Sequence, residues 1–206
     1  MYIDAVTMAA VADELSKKIV GGRVQDVVEI DRQSVGLEVY AHRERRYLLV
    51  SIDPQAARCH LVPGKLRRGV EHASPLGLLL HKYVEGARLI GVQQPPWERV
   101  LHLDFSGENG DTRLIVETMG NRSNIILTVE GEILDCIKRV GPDQNRYRVI
   151  LPGKEYVPPP PQEKALPERV TNNMIAAFLR QMPSAPAWRV LVDHIAGISP
   201  LLAREI

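Results

Sequence analysis

The sequence predicts an α+β domain, a β-sandwich flanked by helices. Three observations point there. Short β-branched runs of period two fill residues 23–62 and 88–151. Helical patterns precede each of these blocks, and tight-turn residues separate successive strand runs, so neighbours pair antiparallel. There are roughly ten such runs, enough for two packed sheets.

In chain order, "DAVTMAAVADELSKKIVGG" opens as a helix, with apolar residues at Val6, Ala9, Ala10, Leu15 and Ile19 and a stop at Gly21-Gly22. "RVQDVVEI", "SVGLEVYA", "RYLLVSI" and "ARCHLV" form a meander. "SPLGLLLHKYVEG" is a second helix: Ser74 caps it, Pro75 fits its first turn, and Gly86 ends it. Strands resume as "RLIGVQQ", "RVLHLDFS", "TRLIVETM", "NIILTV", "EILDCIKRV" and "RYRVIL", with hairpin turns in "GENGDT" and "EGE". The first domain therefore spans residues 1–157. A Pro-rich linker follows at 158–170, where Pro158 to Pro161 continue neither a ladder nor a helix. Residues 171–206 are helical again in "NNMIAAFLRQM", "APAWRVLVDHI" and "GISPLLAREI", and the pattern predicts a continuation past Ile206.

Apolar residues make up 45% of the 206-residue chain and the net charge is +1, so charge distribution matters more than its sum. No window holds the roughly 18 apolar residues of a membrane span. Asp4, Asp13 and Glu14 stand where a signal peptide has no acids, which predicts a cytoplasmic protein. Cys59 and Cys136 each stand alone in an apolar run and read as buried thiols. No phosphate-binding glycine loop, HExxH or nucleophile elbow occurs, so neither a metal, a cofactor nor an enzymatic activity is expected. His60, His81 and His102 are scattered.

Basic residues are more suggestive. "HRERRY", "RCHLVPGKLRRG", "HKYVEGAR" and "IKRVGPDQNRYR" each group cations beside glycine, proline or aromatic residues. Gathered on one side they would hold a phosphate backbone; dispersed, they are a solvated surface. Two further stretches stand out. In "QQPPWERVLHL", Pro95-Pro96 sets a rigid bend before Trp97, Glu98 and Arg99. An aromatic, an acid and an arginine there suit stacking on and hydrogen bonding to unpaired bases; a strand-end salt bridge with a core tryptophan is the other reading. In "ETMGNRSNIIL", a glycine, an arginine, a serine and two asparagines interrupt two apolar runs, far more polarity than a turn requires.

"MGNRSNIIL", "GEILDCIKRV" and "NRYRVILPGKEYVPPPPQEK" together resemble the N-terminal domain of the NFACT proteins, long labelled fibronectin-binding protein A. "GGRVQDV", "LLVSIDPQAARCHLV", "LLLHKYVEGARL" and "QPPWERVL" agree in order, and "GISPLLAREI" resembles the start of that family's helix-hairpin-helix region. Asn121-Arg122 replaces the family's Arg-His, and Thr118 a usual apolar residue. The resemblance implies a fold like the N-terminal domain of formamidopyrimidine-DNA glycosylases. Their catalytic N-terminal proline is absent from the Met1-Tyr2 start.

The resemblance further implies ribosome-associated quality control. The partners would be tRNA and a large ribosomal subunit carrying a stalled peptidyl-tRNA, with alanyl-tRNA recruited for template-free C-terminal tailing. The family's tRNA-contacting Asp-Arg pair aligns with Glu98-Arg99, the acid one methylene longer here. The same surface takes in Glu117, Thr118, Met119, Gly120, Arg122, Ser123 and Asn124. For Ser123 and Asn124 two readings stay open: donors to phosphates and base edges, or internal partners of a tight turn. A fibronectin-binding surface adhesin is the competing function, and the missing signal peptide speaks against it.

Overall fold

The computed structural model describes residues 3–206. The Met1-Tyr2 start, on which the argument against glycosylase chemistry depends, lies outside the described residues. Asp4 accepts a hydrogen bond from the Thr7 amide at 2.8 Å and caps helix α1, Ala5–Ile19. Four strands follow as an antiparallel meander: β1 (Arg23–Asp31), β2 (Ser34–Ala41), β3 (Glu44–Ser51) and β4 (Arg58–Val62). Helix α2, Pro75–Tyr83, is capped by Ser74, whose hydroxyl accepts from the Gly77 amide at 3.0 Å. The second block holds β5 (Arg88–Gln93), β6 (Val100–Gly107), β7 (Gly110–Glu117), β8 (Asn124–Val129) and β9 (Glu132–Cys136). Glu130 and Gly131 both take positive φ, 49° and 86°, as a two-residue hairpin between β8 and β9 demands.

The strands form one antiparallel sheet, in the order β4-β3-β2-β1-β5-β6-β7-β8-β9, rather than two separate sheets. Its junction is short: β1 pairs with β5 at Arg23 and Arg88, and backbone hydrogen bonds join residues 21–24 to 86–89 around that pair. Helix α2 touches both β1 and β9, the fourth and ninth strands in order, so the sheet curls until its halves share helices. One core follows from that curl. Val27, Leu37 and Leu48 of the first half cluster with Leu89, Leu103, Leu114 and Leu127 of the second, and with Met8, Leu15 and Leu80 of the helices. Each such side chain contributes about 1.5–3 kcal/mol on burial.

The expected strand over "RYRVIL" does not form; Val140 and Ile150 make only an isolated bridge. Pro142 and Pro152 bracket the segment, and proline offers no amide to a ladder. Residues 137–157 instead lie across the second half of the sheet. There Val140, Ile150 and Tyr156 pack on Val100, Ile115, Ile126, Ile133 and Cys136 in a second, smaller core. This is why β8 is buried along nearly its whole length rather than alternately. Cys59 and Cys136 are both free and buried, and burial pushes each thiol up to about 12.

The Pro-rich stretch leads through a 3-10 turn, Pro167–Arg169, to helices α3 (Asn172–Gln181), α4 (Ala187–His194) and α5 (Leu202–Glu205). Phe178 of α3 stacks on His194 of α4, ring centroids 4.5 Å apart. Among the described residues no helix is long and apolar enough to cross a membrane.

Candidate nucleic-acid interface

The corner before β6 is rigid by construction. The Glu98 amide donates to the Pro95 carbonyl at 3.0 Å. The Gln94 amide group donates to the carbonyls of Glu98 at 2.7 Å and Ala5 at 2.8 Å. Trp97 is held at φ +58°, a left-handed conformation that costs a bulky residue about 1–3 kcal/mol. Contacts from the C-terminal segment enforce it. The indole Nε1 donates to Glu168 Oε2 at 2.9 Å, and the ring lies on Gly197, where a Cβ would come within 2.7 Å of Trp97 Cε3. Trp97 thus clamps the helical segment to the sheet while Glu98 and Arg99 line the cleft between them. Burial raises the Glu98 carboxyl, against the opposing pull of Gln162 and Arg99.

The six polar residues from Glu117 to Asn124 differ in what they face. Glu117 is fully buried and accepts three hydrogen bonds: from Arg148 Nη2 at 2.6 Å, Arg148 Nη1 at 3.1 Å and the Tyr156 hydroxyl at 2.8 Å. Thr118, also buried, donates to the Arg99 carbonyl through its amide at 2.9 Å and its hydroxyl at 3.2 Å. Asn124 is used on the backbone: Oδ1 accepts from the Lys138 and Ile125 amides at 2.9 and 3.0 Å, and Nδ2 donates to the Lys138 carbonyl at 2.7 Å. These three residues build the wall. Gly120, at φ +58°, starts the 3-10 turn Gly120–Arg122 that carries Asn121 and Arg122 out to solvent. Ser123 differs from both groups. Its hydroxyl is buried at 0% exposure with no hydrogen-bond partner.

The corner, the turn and the 138–148 segment converge on one cleft of about 940 Å³. Six cations line it: Arg99, Arg122, Lys138, Arg146, Arg148 and Lys164. Among the described residues two carboxylates, Asp4 and Glu98, line it with them, and Glu117 pairs with Arg148 from behind the wall. Burial lowers the Lys138 ammonium below its ordinary value. The far wall is tied down by the Ser199 hydroxyl, which donates to Asp4 Oδ2 at 2.8 Å, and by Lys164 Nζ, which donates to the Val192 carbonyl at 2.8 Å. A recess with this charge and these donors suits an anionic, hydrogen-bonding ligand.

Of the nine residues singled out from the sequence, Glu98, Arg99, Met119, Arg122, Ser123 and Asn124 line this cleft. Gly120 shapes its turn, and Glu117 and Thr118 stand behind its wall. Arg148 and Lys164 were not singled out as site residues. Arg148 carried a signal as part of a basic run, but its tie to Glu117 joins positions 31 residues apart and leaves no local pattern. Of the four basic runs, the one at 137–148 lines the cleft and the other three do not. Near the β2–β3 turn Arg45 pairs with Glu38 at 2.9 Å and Arg46 with Glu44, while Arg88 donates to the Gly21 carbonyl at 2.7 Å. His60, His81 and His102 sit on β4, α2 and β6. Among the described residues no group of three or more His, Cys, Asp or Glu is placed to hold a metal ion.

Comparison with known proteins agrees with this fold. The chain is 32% identical over 212 residues to the Rqc2 homolog RqcH of Bacillus subtilis, covering 100% of this chain and 37% of that relative. It thus spans little more than a third of that relative's length. The N-terminal part of the fibronectin/fibrinogen-binding protein of Streptococcus suis superposes with a TM-score of 0.86 at 29% identity, covering 99% of this chain and 78% of that one. The N-terminal domain of fibronectin-binding protein PavA of Streptococcus pneumoniae gives 0.84 at 28%, covering 99% and 82%. The model of the NFACT N-terminal and middle domains matches residues 4–206, and the chain belongs to that family.

Proposed function

We propose that the cleft binds tRNA, and that the domain acts in the cytoplasm as the tRNA- and large-ribosomal-subunit-binding module of a ribosome-associated quality control factor. The supporting observation is the convergence of Glu98-Arg99, the 119–124 turn and the 138–148 segment on one basic cleft. RqcH, the name its B. subtilis relative carries, points the same way. A recess offering guanidinium planes, an indole and hydrogen-bond donors suits unpaired bases and their backbone better than a duplex. In this reading the charged tRNA is alanyl-tRNA, held for template-free C-terminal tailing of a stalled nascent chain, and the domain itself performs no catalysis. Helices α3–α5 are then the start of a helix-hairpin-helix region, and the curled sheet a relative of the glycosylase N-terminal domain.

Labelled tRNA titrated at several salt concentrations tests this. Affinity should fall steeply with salt, by a slope of about one per phosphate contact. Absent binding, or binding flat with salt, refutes it. The names of the two streptococcal relatives support a second reading, fibronectin binding. Saturable binding to immobilised fibronectin without any tRNA affinity would establish that one instead. Incubation with oxidised-purine duplex and borohydride should trap no adduct.

A further inference from the structure

The floor of the cleft holds two donors that the protein itself leaves unused. Ser123 Oγ and Arg148 Nε are both buried, on residues that are 0% and 7% exposed, and neither atom has a hydrogen-bond partner. Both residues line the same cleft. The ladder brings both residues to one end of the same strand pair: Ser123 precedes Asn124, which pairs across the sheet with Glu117, whose carboxylate holds the two Nη atoms of Arg148. A buried donor without an acceptor is destabilising, and such groups are rare in folded proteins. Two of them in one basic recess mark a place where an acceptor belongs.

The character of that acceptor can be read from the donors. An Nε–H only donates, and a serine hydroxyl is free to rotate and donate. Asn124, next to Ser123 in the chain, is engaged with Lys138 and Ile125. Glu117 already balances the charge of Arg148, so the pair presents a directed N–H rather than a loose cation. The uncompensated charge comes from the rim, where Lys138 and Arg122 line the same cleft. Directed donors at the floor and cations at the rim describe a phosphate-oxygen site.

We propose that Ser123 Oγ and Arg148 Nε form a subsite for one phosphodiester oxygen of the RNA backbone, and that Glu117 acts through Arg148 as a positioning residue for it. This rests on the tRNA-binding reading above and adds a particular contact to it. The subsite fixes register along the strand; the corner at Glu98-Arg99 is left to meet bases.

Ser123→Ala separates this from a structural role. Removing an unpartnered buried hydroxyl should leave the melting temperature unchanged or slightly higher, whereas a structural hydroxyl would lower it. The Kd for tRNA should rise about tenfold, the usual worth of one hydrogen bond to a charged group. Arg148→Lys, which keeps the charge against Glu117 but loses Nε, should weaken tRNA binding similarly in the folded fraction. Inorganic phosphate, titrated against the melting temperature, distinguishes the source of the anion. If phosphate protects the wild type but not Ser123→Ala, while tRNA binds both equally, the site belongs to a small anion and the RNA assignment is overturned. If tRNA affinity survives both substitutions but falls in Arg99→Ala, tRNA binding stands and the subsite does not. If the wild type binds no tRNA at all, the proposed function fails first.

Discussion

Replacing Glu117 by alanine should destabilise the fold severely, although sequence reasoning grouped it with surface residues. Its carboxylate is fully buried and accepts three hydrogen bonds, two from Arg148 and one from Tyr156. Truncation leaves the Arg148 guanidinium, 7% exposed, with no counter-charge, and leaves the Tyr156 hydroxyl without its acceptor. Losing one partner of a buried ion pair costs about 3–5 kcal/mol. For a chain of this size 1 kcal/mol moves the melting temperature by about 2–4 °C, so Glu117→Ala should melt some 6–20 °C lower. Replacing both partners together, as Glu117→Leu with Arg148→Met, should restore much of the loss, because no isolated charge is then buried. Thermal melts of the two single variants and the double variant give the coupling. An unchanged melting temperature for Glu117→Ala, with tRNA affinity reduced, would refute the buried-pair account and make Glu117 a direct contact.

Three further outcomes follow from the geometry. Arg99→Ala should weaken tRNA binding by about 1–3 kcal/mol, the value of one good bidentate contact, with little loss of stability; a lower melting temperature with intact affinity would make Glu98-Arg99 a structural pair. Gly197→Ala places a Cβ 2.7 Å from Trp97 Cε3 at a residue with φ +73°, so it should cost about 1–3 kcal/mol and loosen the clamp, measured as a lower melting temperature together with weaker tRNA binding. Asp4 is held below its ordinary 3.8: burial pushes it up, but the Thr7 and Ser199 hydrogen bonds outweigh burial. A carboxyl depressed in the folded state adds stability that is complete above the unfolded value and lost as pH falls through the folded one. Asp4→Asn should therefore melt below wild type at neutral pH, with a gap that closes beneath about pH 4; a gap independent of pH would contradict this.

Local chemistry was enough for the sequence to determine most of the elements. Asp4, Ser74 and Thr171 cap their helices through hydrogen bonds three residues long, and Gly131 completes a hairpin turn, all readable in short windows. Period two gave the strands, and lone cysteines in apolar runs gave the buried thiols. The motif order gave the family. Tertiary structure alone decided three things. Whether the strands make one sheet or two depends on the short junction around Arg23 and Arg88, residues 65 positions apart in the chain. The fate of "RYRVIL" depends on the apolar outer side of β6–β9, which the segment covers instead of extending a ladder. Above all, the division of labour in "ETMGNRSNIIL" was not legible. Glu117, Thr118 and Asn124 face partners at Arg148, Arg99 and Lys138. Arg122 and the hydroxyl of Ser123 have been left for the cleft. The residue types are alike in polarity, and only their long-range partners tell them apart.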